Sequence, residues 1–192
     1  MNQVAHYISI LERSIRKGQA VSIYSNQYEP DKFSVGYIET FSSEQFVMKH
    51  VTPEGISDGY IVRRNEDIFR IDSNGNYEQR IELLYALQKQ KHESIFENPI
   101  LKNSNLFKEA FDSAMKKDLI CSVCIDESDD QDDIVGFVSD ITPEEVVISR
   151  ISFEGLTDGE SSFFLADVIK LNCETVEEKA LKLIYNHRKT NY

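Results

Sequence analysis

Residues Glu54-Gly55-Ile56-Ser57-Asp58-Gly59, with Asp67-Ile68 further on, return as Glu154-Gly155-Leu156-Thr157-Asp158-Gly159 with Asp167-Val168, 100 positions later. The offset holds without a gap. Laying residues 17–89 over 117–189 gives fifteen identities in 73 positions, among them Lys17, Ser22, Val35, Gly36, Glu44, Val47, Glu78, Leu83, Tyr85 and Lys89. Ordinary residue usage gives roughly one match in twenty. The substitutions keep character as well: Ile38/Val138, Met48/Ile148, Val51/Ile151 and Ile71/Leu171 stay apolar, and Ser57/Thr157 and Arg70/Lys170 stay polar. An internal repeat of this kind restricts the chain to one small fold used twice. Two domains of about 90–100 residues are of ordinary size. The boundaries expected are 1–91 for the first module, 92–101 for a linker around Asn98-Pro99, and 102–192 for the second.

Each half opens on helical spacing, with Val4, Tyr7, Ile8, Leu11 and Ile15 in the first and Phe107, Ala110, Phe111, Ala114 and Met115 in the second. Short strand-like runs follow: Val21 and Ile23, Val35-Gly36-Tyr37-Ile38, Phe46-Val47-Met48, Tyr60-Ile61-Val62-Arg63 and Ile68-Phe69-Arg70-Ile71. Their partners lie 100 residues on. Gly36 and Gly136 inside a strand mark a bend or bulge. The Glu-Gly-x-x-Asp-Gly segment reads as a turn, since glycine permits positive φ and aspartate bonds its own backbone. An amphipathic helix closes each half, carrying Tyr77, Ile81, Leu84 and Tyr85 or Val176, Ala180, Leu183 and Ile184. The fold class expected is therefore mainly β with flanking helices. It comprises two tandem modules of five short strands, each bent into a barrel-like sheet between an N-terminal and a C-terminal helix.

An N-terminal helix followed by five strands, with glycine in the second, resembles the Sm-like (LSm/Hfq) fold. Val62-Arg63-Arg64-Asn65-Glu66-Asp67-Ile68-Phe69-Arg70-Ile71 is similar to the second Sm signature, an aliphatic residue, then Arg-Gly, then spaced isoleucines. Arg63, Ile68 and Ile71 fit, and Arg64 stands where the family has glycine. In the second copy Phe163 and Phe164 replace that pair, leaving Val168 and Leu171. The first signature's Asp-x-apolar-Asn, which supplies the RNA base pocket, is not visible in either half. The resemblance implies a small bent barrel whose fourth strand is an exposed edge that pairs with a neighbour's fifth. Phe163 and Phe164 on that strand are candidate interface residues, within the chain or in a dimer, because an edge bearing apolar side chains invites burial.

Net charge is −12, divided as −3 over residues 1–100 and −9 over 101–192. Nucleic-acid binders carry a basic footprint, which this chain as a whole lacks. The less acidic first half leaves one alternative, RNA binding through Tyr37, Lys49, His50, Arg63 and Arg64. Three cysteines, an odd count, fit a reducing compartment. Neither an apolar span of membrane length nor a secretion signal is seen, so a cytoplasmic location is expected. Cys121-Ser122-Val123-Cys124 has redox or zinc spacing, but both cysteines fall in a β-like run where residues three apart face opposite ways. They read as packing positions, and no second motif completes a zinc site.

Asp58, Asp67, Asp158 and Asp167 recur and could form a carboxylate pair for hydrolysis, yet turn and capping roles account for them. His6, His50, His92 and His187 share no ligand spacing. The acidic loop 126–133 lacks the glycine and glutamate of a calcium loop and reads as a solvated segment. No nucleophile-elbow, phosphate-loop or dinucleotide motif is present. The expectation is a non-catalytic scaffold acting through protein–protein contacts or self-association at sheet edges, with no metal and no cofactor. RNA is its rival. Binding to short single-stranded RNA that falls steeply with added salt would select the rival, and flat or absent binding the scaffold.

Overall fold

The computed structural model describes residues 3–101, 103–126 and 133–190, with side chains from residue 5 onward. Two compact units are seen, one comprising residues 1–94 and 100–106, the other 95–99 and 107–192. Residues 92–94, expected in the linker, thus pack with the first unit.

Unit 1 contains α1 (Gln3–Lys17), β1 (Val21–Tyr24), β2 (Ser34–Phe41), β3 (Gln45–Val51), β4 (Ser57–Arg64), β5 (Arg70–Ser73) and α2 (Asn76–Leu87). After α3 (Leu106–Lys116), unit 2 continues through β6 (Ile120–Cys124), β7 (Ile134–Ile141), β8 (Glu145–Ile151), β9 (Thr157–Phe164), a 3-10 turn (Leu165–Asp167), β10 (Lys170–Cys173) and α4 (Val176–Thr190). The fifth strand begins two residues later than the spacing suggests, because Asn65 to Ile68 close a turn through the Ile68 amide and the Asn65 carbonyl.

In unit 1 the antiparallel order is β5-β1-β2-β3-β4, and unit 2 repeats it as β10-β6-β7-β8-β9. The registers repeat too: Gly36 faces His50 as Gly136 faces Arg150, and Met48 faces Ile61 as Ile148 faces Ser161. The barrel expectation is corrected at one point. Within each unit the fourth and fifth strands do not pair, so the sheet is open. Closure is not needed to bury its faces. In unit 1 Tyr7 and Leu11 of α1 pack on Val21, Ile23, Ile38, Phe46, Met48 and Ile61 on one face. On the other, Ile81 with Tyr77 and Tyr85 of α2 packs on Val35, Val51 and Tyr37.

The helical stripes are only partly those the sequence suggests. Ile15 of α1 is exposed, and the buried line runs through Tyr7, Leu11 and Ser14. In α4 the expected apolar stripe is outward: Val176, Leu183 and Ile184 are exposed, and Glu178 is the buried residue. An isolated 3.6-residue period identifies a helix but not which of two partly apolar faces the sheet takes.

The repeated glycines have two separate causes. A Cβ on Gly36 would stand 2.0 Å from the Lys49 carbonyl oxygen, and one on Gly136 would stand 2.1 Å from that of Ser149. Both mark a close backbone approach between the second and third strands. Gly55, at φ +79°, would put a Cβ 2.4 Å from Cβ of Leu84, and Gly155, at φ +75°, 2.6 Å from Cγ2 of Ile184. The turn before the fourth strand therefore sits directly on the second helix. Asp58 and Gly59 fall beyond that turn, inside β4, where they oppose the single residue His50 in a bulge. Gly55→Ala is expected to cost about 2–4 kcal/mol, from a left-handed non-glycine residue plus steric overlap. Gly18→Ala also has positive φ but meets nothing within 4 Å, and its cost should stay near about 1–2 kcal/mol. Urea unfolding of the two variants checks this, and equal losses would remove the contact explanation.

Candidate functional site

The recurring acids act first as fasteners. Asp58 Oδ2 lies 3.0 Å from His50 Nδ1 across the β3–β4 bulge. At the same place in unit 2, Asp158 Oδ2 lies 3.6 Å from Arg150 Nη2. The position keeps a basic partner while exchanging imidazole for guanidinium, which cannot serve as a base. Holding the bulge explains both acids. Asp67 lies half-buried in the turn before β5, and Asp167 lies exposed in the turn before β10.

Glu78 and Glu178 are the acids that sequence reading passed over as mere identities. Each is buried at the start of the last helix of its unit. Glu78 Oε2 accepts from the Gly75 amide at 3.0 Å, and Oε1 accepts from Ser22 Oγ at 2.5 Å, tying α2 to β1. Glu178 Oε2 accepts from the Thr175 amide at 2.7 Å. The signal was present: Thr175-Val176-Glu177-Glu178 is a capping-box spacing.

The five residues proposed for RNA do not gather on one surface. Tyr37 lies under α2, 5.2 Å from the Tyr85 ring. Burial, with Glu82 and Tyr85 nearby, pushes its phenol up to about 12. Lys49 pairs with Glu39 at 3.9 Å, and His50 with Asp58. Arg63 donates to Ser25 Oγ, and Arg64 stands 3.9 Å from Glu66. Tyr37 and Lys49 are cross-strand neighbours, whereas Arg63 is opposite Phe46 of the α1 face. The set is spread over both faces with its cations already engaged.

Unit 1 does contain a groove of about 860 Å³. All of β5 lines it, together with His6 and Arg13 of α1 and Tyr24, Phe33 and Tyr77. The Arg70 guanidinium lies 4.5 Å over the Tyr24 ring and is held by both carboxylate oxygens of Asp72, at 2.9 and 2.6 Å. Phe33 meets Tyr24 and, edge-on, Tyr77, at 5.0 and 5.4 Å. The corresponding residues of the second copy are Leu106, Ser113, Cys124, Asp133 and Glu177 in place of His6, Arg13, Tyr24, Phe33 and Tyr77. The fold does not demand this aromatic and cationic lining, since unit 2 folds without it.

Unit 2 presents a different feature. Among the described residues β9 pairs only with β8, and six of its eight residues are exposed. None of the eight residues of β4 is exposed. In unit 1 the chain after α2 turns back over that strand: Gln90 Oε1 accepts from the Ser57 amide, Tyr60 donates to the Glu93 carbonyl, and His92 stacks on Tyr85. The two candidate interface residues of β9 separate. Phe163 is 8% exposed, with its ring 6.4 Å from that of Phe111, and belongs to the unit's own core. Phe164 is 57% exposed, and Phe153 on the β8–β9 turn is 90% exposed.

Residues 127–132 of the acidic loop lie outside the described residues. Asp133 accepts from Ser122 Oγ at 2.8 Å and stands 3.5 Å from Lys170 Nζ. Among the described residues no group of three or more His, Cys, Asp or Glu is gathered as for a metal, and no helix is long and apolar enough to cross a membrane. No protein-family model matches the chain, and no curated protein or solved structure matches it.

Tyr37 gives a test of the α2 seat. The unfolded phenol ionises near about pH 10 and the folded one near 12. Its contribution is fully present below pH ~10 and is lost as pH rises through ~12. In Tyr37→Phe the decline of stability over that interval should become shallower, read by urea unfolding at stepped pH. An unchanged slope would place the decline elsewhere.

Proposed function

We propose that this chain is a non-catalytic, cytoplasmic interaction protein built from two Sm-like repeats. It works by protein–protein contact at strand edges, and its first partner is a second copy of itself. The exposed edge of β9 carries the reading: an eight-residue strand hydrogen-bonded on one side, with Phe164 outward. An unpaired edge of this length is a template for strand addition unless covered or charged. Asp158 and Glu160 give this edge an acidic character.

The complementary edge is β5 of the other copy. It pairs only with β1 among the described residues and lies along the groove that holds Arg70, Arg13 and His6. An acidic strand ending in an exposed phenylalanine suits a slot with aromatic walls, whose lining adds Arg13 and His6 to the Arg70–Asp72 pair. The repeated strand order supports the Sm-like part of the reading, because it leaves the fourth and fifth strands as the outer members of each unit's own sheet. The exposed apolar side chains of unit 2, with Leu156 and Ile184 beside the Gly155 contact, add surface that association would bury.

Size-exclusion chromatography with light scattering tests the reading. The native chain should elute as a multiple of 22.1 kDa, and Phe164→Asp or Arg70→Glu should shift it toward the single-chain mass. A native chain of single mass at every concentration, or a native mass unchanged by both substitutions, would overturn it.

A further inference from the structure

Cys121 and Cys173 are directly opposite each other in the β6–β10 pair. Both are free and both are fully buried in unit 2. Directly opposed residues of antiparallel strands share a face, with Cα atoms about 4.5–5.5 Å apart. That lies within the span of about 4.4–6.8 Å that a disulfide bridges. The sequence spacing points instead to Cys121 and Cys124. Those two alternate to opposite faces, and Cys124, opposite Lys170, directs its Sγ to the Asp126 carbonyl at 3.1 Å.

The repeat supplies a control for whether the fold requires sulfur here. In unit 1 the same two positions are Val21 and Ser73, also directly opposed, and the strand pair forms around them. The strand pair therefore does not require the two cysteines, which only unit 2 carries.

We propose that Cys121 and Cys173 form a latent cross-strand disulfide, closed by exchange with a small-molecule disulfide. One protein thiolate attacks a sulfur of the small disulfide, whose S–S bond breaks and releases one small thiolate, which takes up the proton. The second protein thiolate then attacks the protein sulfur of that mixed disulfide. The Cys121–Cys173 bond forms, and the second small thiol leaves. The two protein thiols are oxidised and the small disulfide is reduced to two thiols. Burial pushes both thiols well above their ordinary range, so neither is a ready nucleophile in the closed sheet. Exchange then proceeds on transient opening of the strand pair, and the finished bond is shielded in its turn. Its effect is to lock the end of β10 to β6 and raise the stability of unit 2.

The experiment incubates the full chain with cystamine in low urea, alkylates remaining thiols and maps linked peptides by mass. The expected product has Cys121 joined to Cys173 with Cys124 alone alkylated. Its unfolding midpoint should rise by about 5 °C or more and return on reduction. Formation should quicken as urea is raised below the unfolding transition. Cys124→Ser should keep the link, and Cys173→Ser, carrying the residue of the first copy, should lose it while still folding. A Cys121–Cys124 link, or a mixed disulfide that persists without closing, would overturn the proposal.

Discussion

Each unit depends on its last helix resting against the backbone of the turn before the fourth strand. Gly55 and Gly155 permit this contact by having no side chain, and any Cβ there would enter the space of Leu84 or Ile184. The helix is secured at its other end by Glu78 or Glu178, buried and accepting from the amide three residues earlier. In unit 1 the helix, pinned at both ends, covers one face of the sheet while the first helix covers the other. With both faces covered there, closing the sheet would gain little further apolar burial, and in each unit the fourth and fifth strands do not pair with each other.

That scaffold tolerates divergence wherever side chains leave it. Around β5 the first copy places Tyr24, Phe33, Tyr77 and Arg13, and the second has Cys124, Asp133, Glu177 and Ser113. Over the fourth strand the first copy lays residues 88–94, while most of β9 is exposed among the described residues of the second. The same bulge is closed by histidine in one copy and arginine in the other. The shared Gly55/Gly155 and Glu78/Glu178 hold the last helix of each unit, whereas the linings of β5 and the fourth strand, where the copies differ, are where the two units can acquire separate work.

Much of the scaffold was legible. The repeat, the element order, the strand glycines and the turn role of Gly55 follow from spacing alone, because each is a local requirement of φ, ψ or close approach. The candidate site was less so. Phe163 and Phe164 are adjacent in sequence, yet strand alternation sends the first into the core beside Phe111 and the second outward. Tyr37 looked available for a base and is packed against Tyr85, because α2 lies on that face. The groove beside β5 draws on α1, β1 and the start of α2, from His6 to Glu78, and no local pattern announces it.

By itself, the sequence determined that one fold is used twice, that it is mainly strands between helices, and where its tight turns fall. These are matters of local geometry and of a period that can be counted. Tertiary structure alone decided which face of α4 is buried, which cysteine opposes which, and that each unit's sheet stays open with most of β9 exposed. Those outcomes are set by which elements meet across the fold, and pairings between distant segments leave no period in the chain to read.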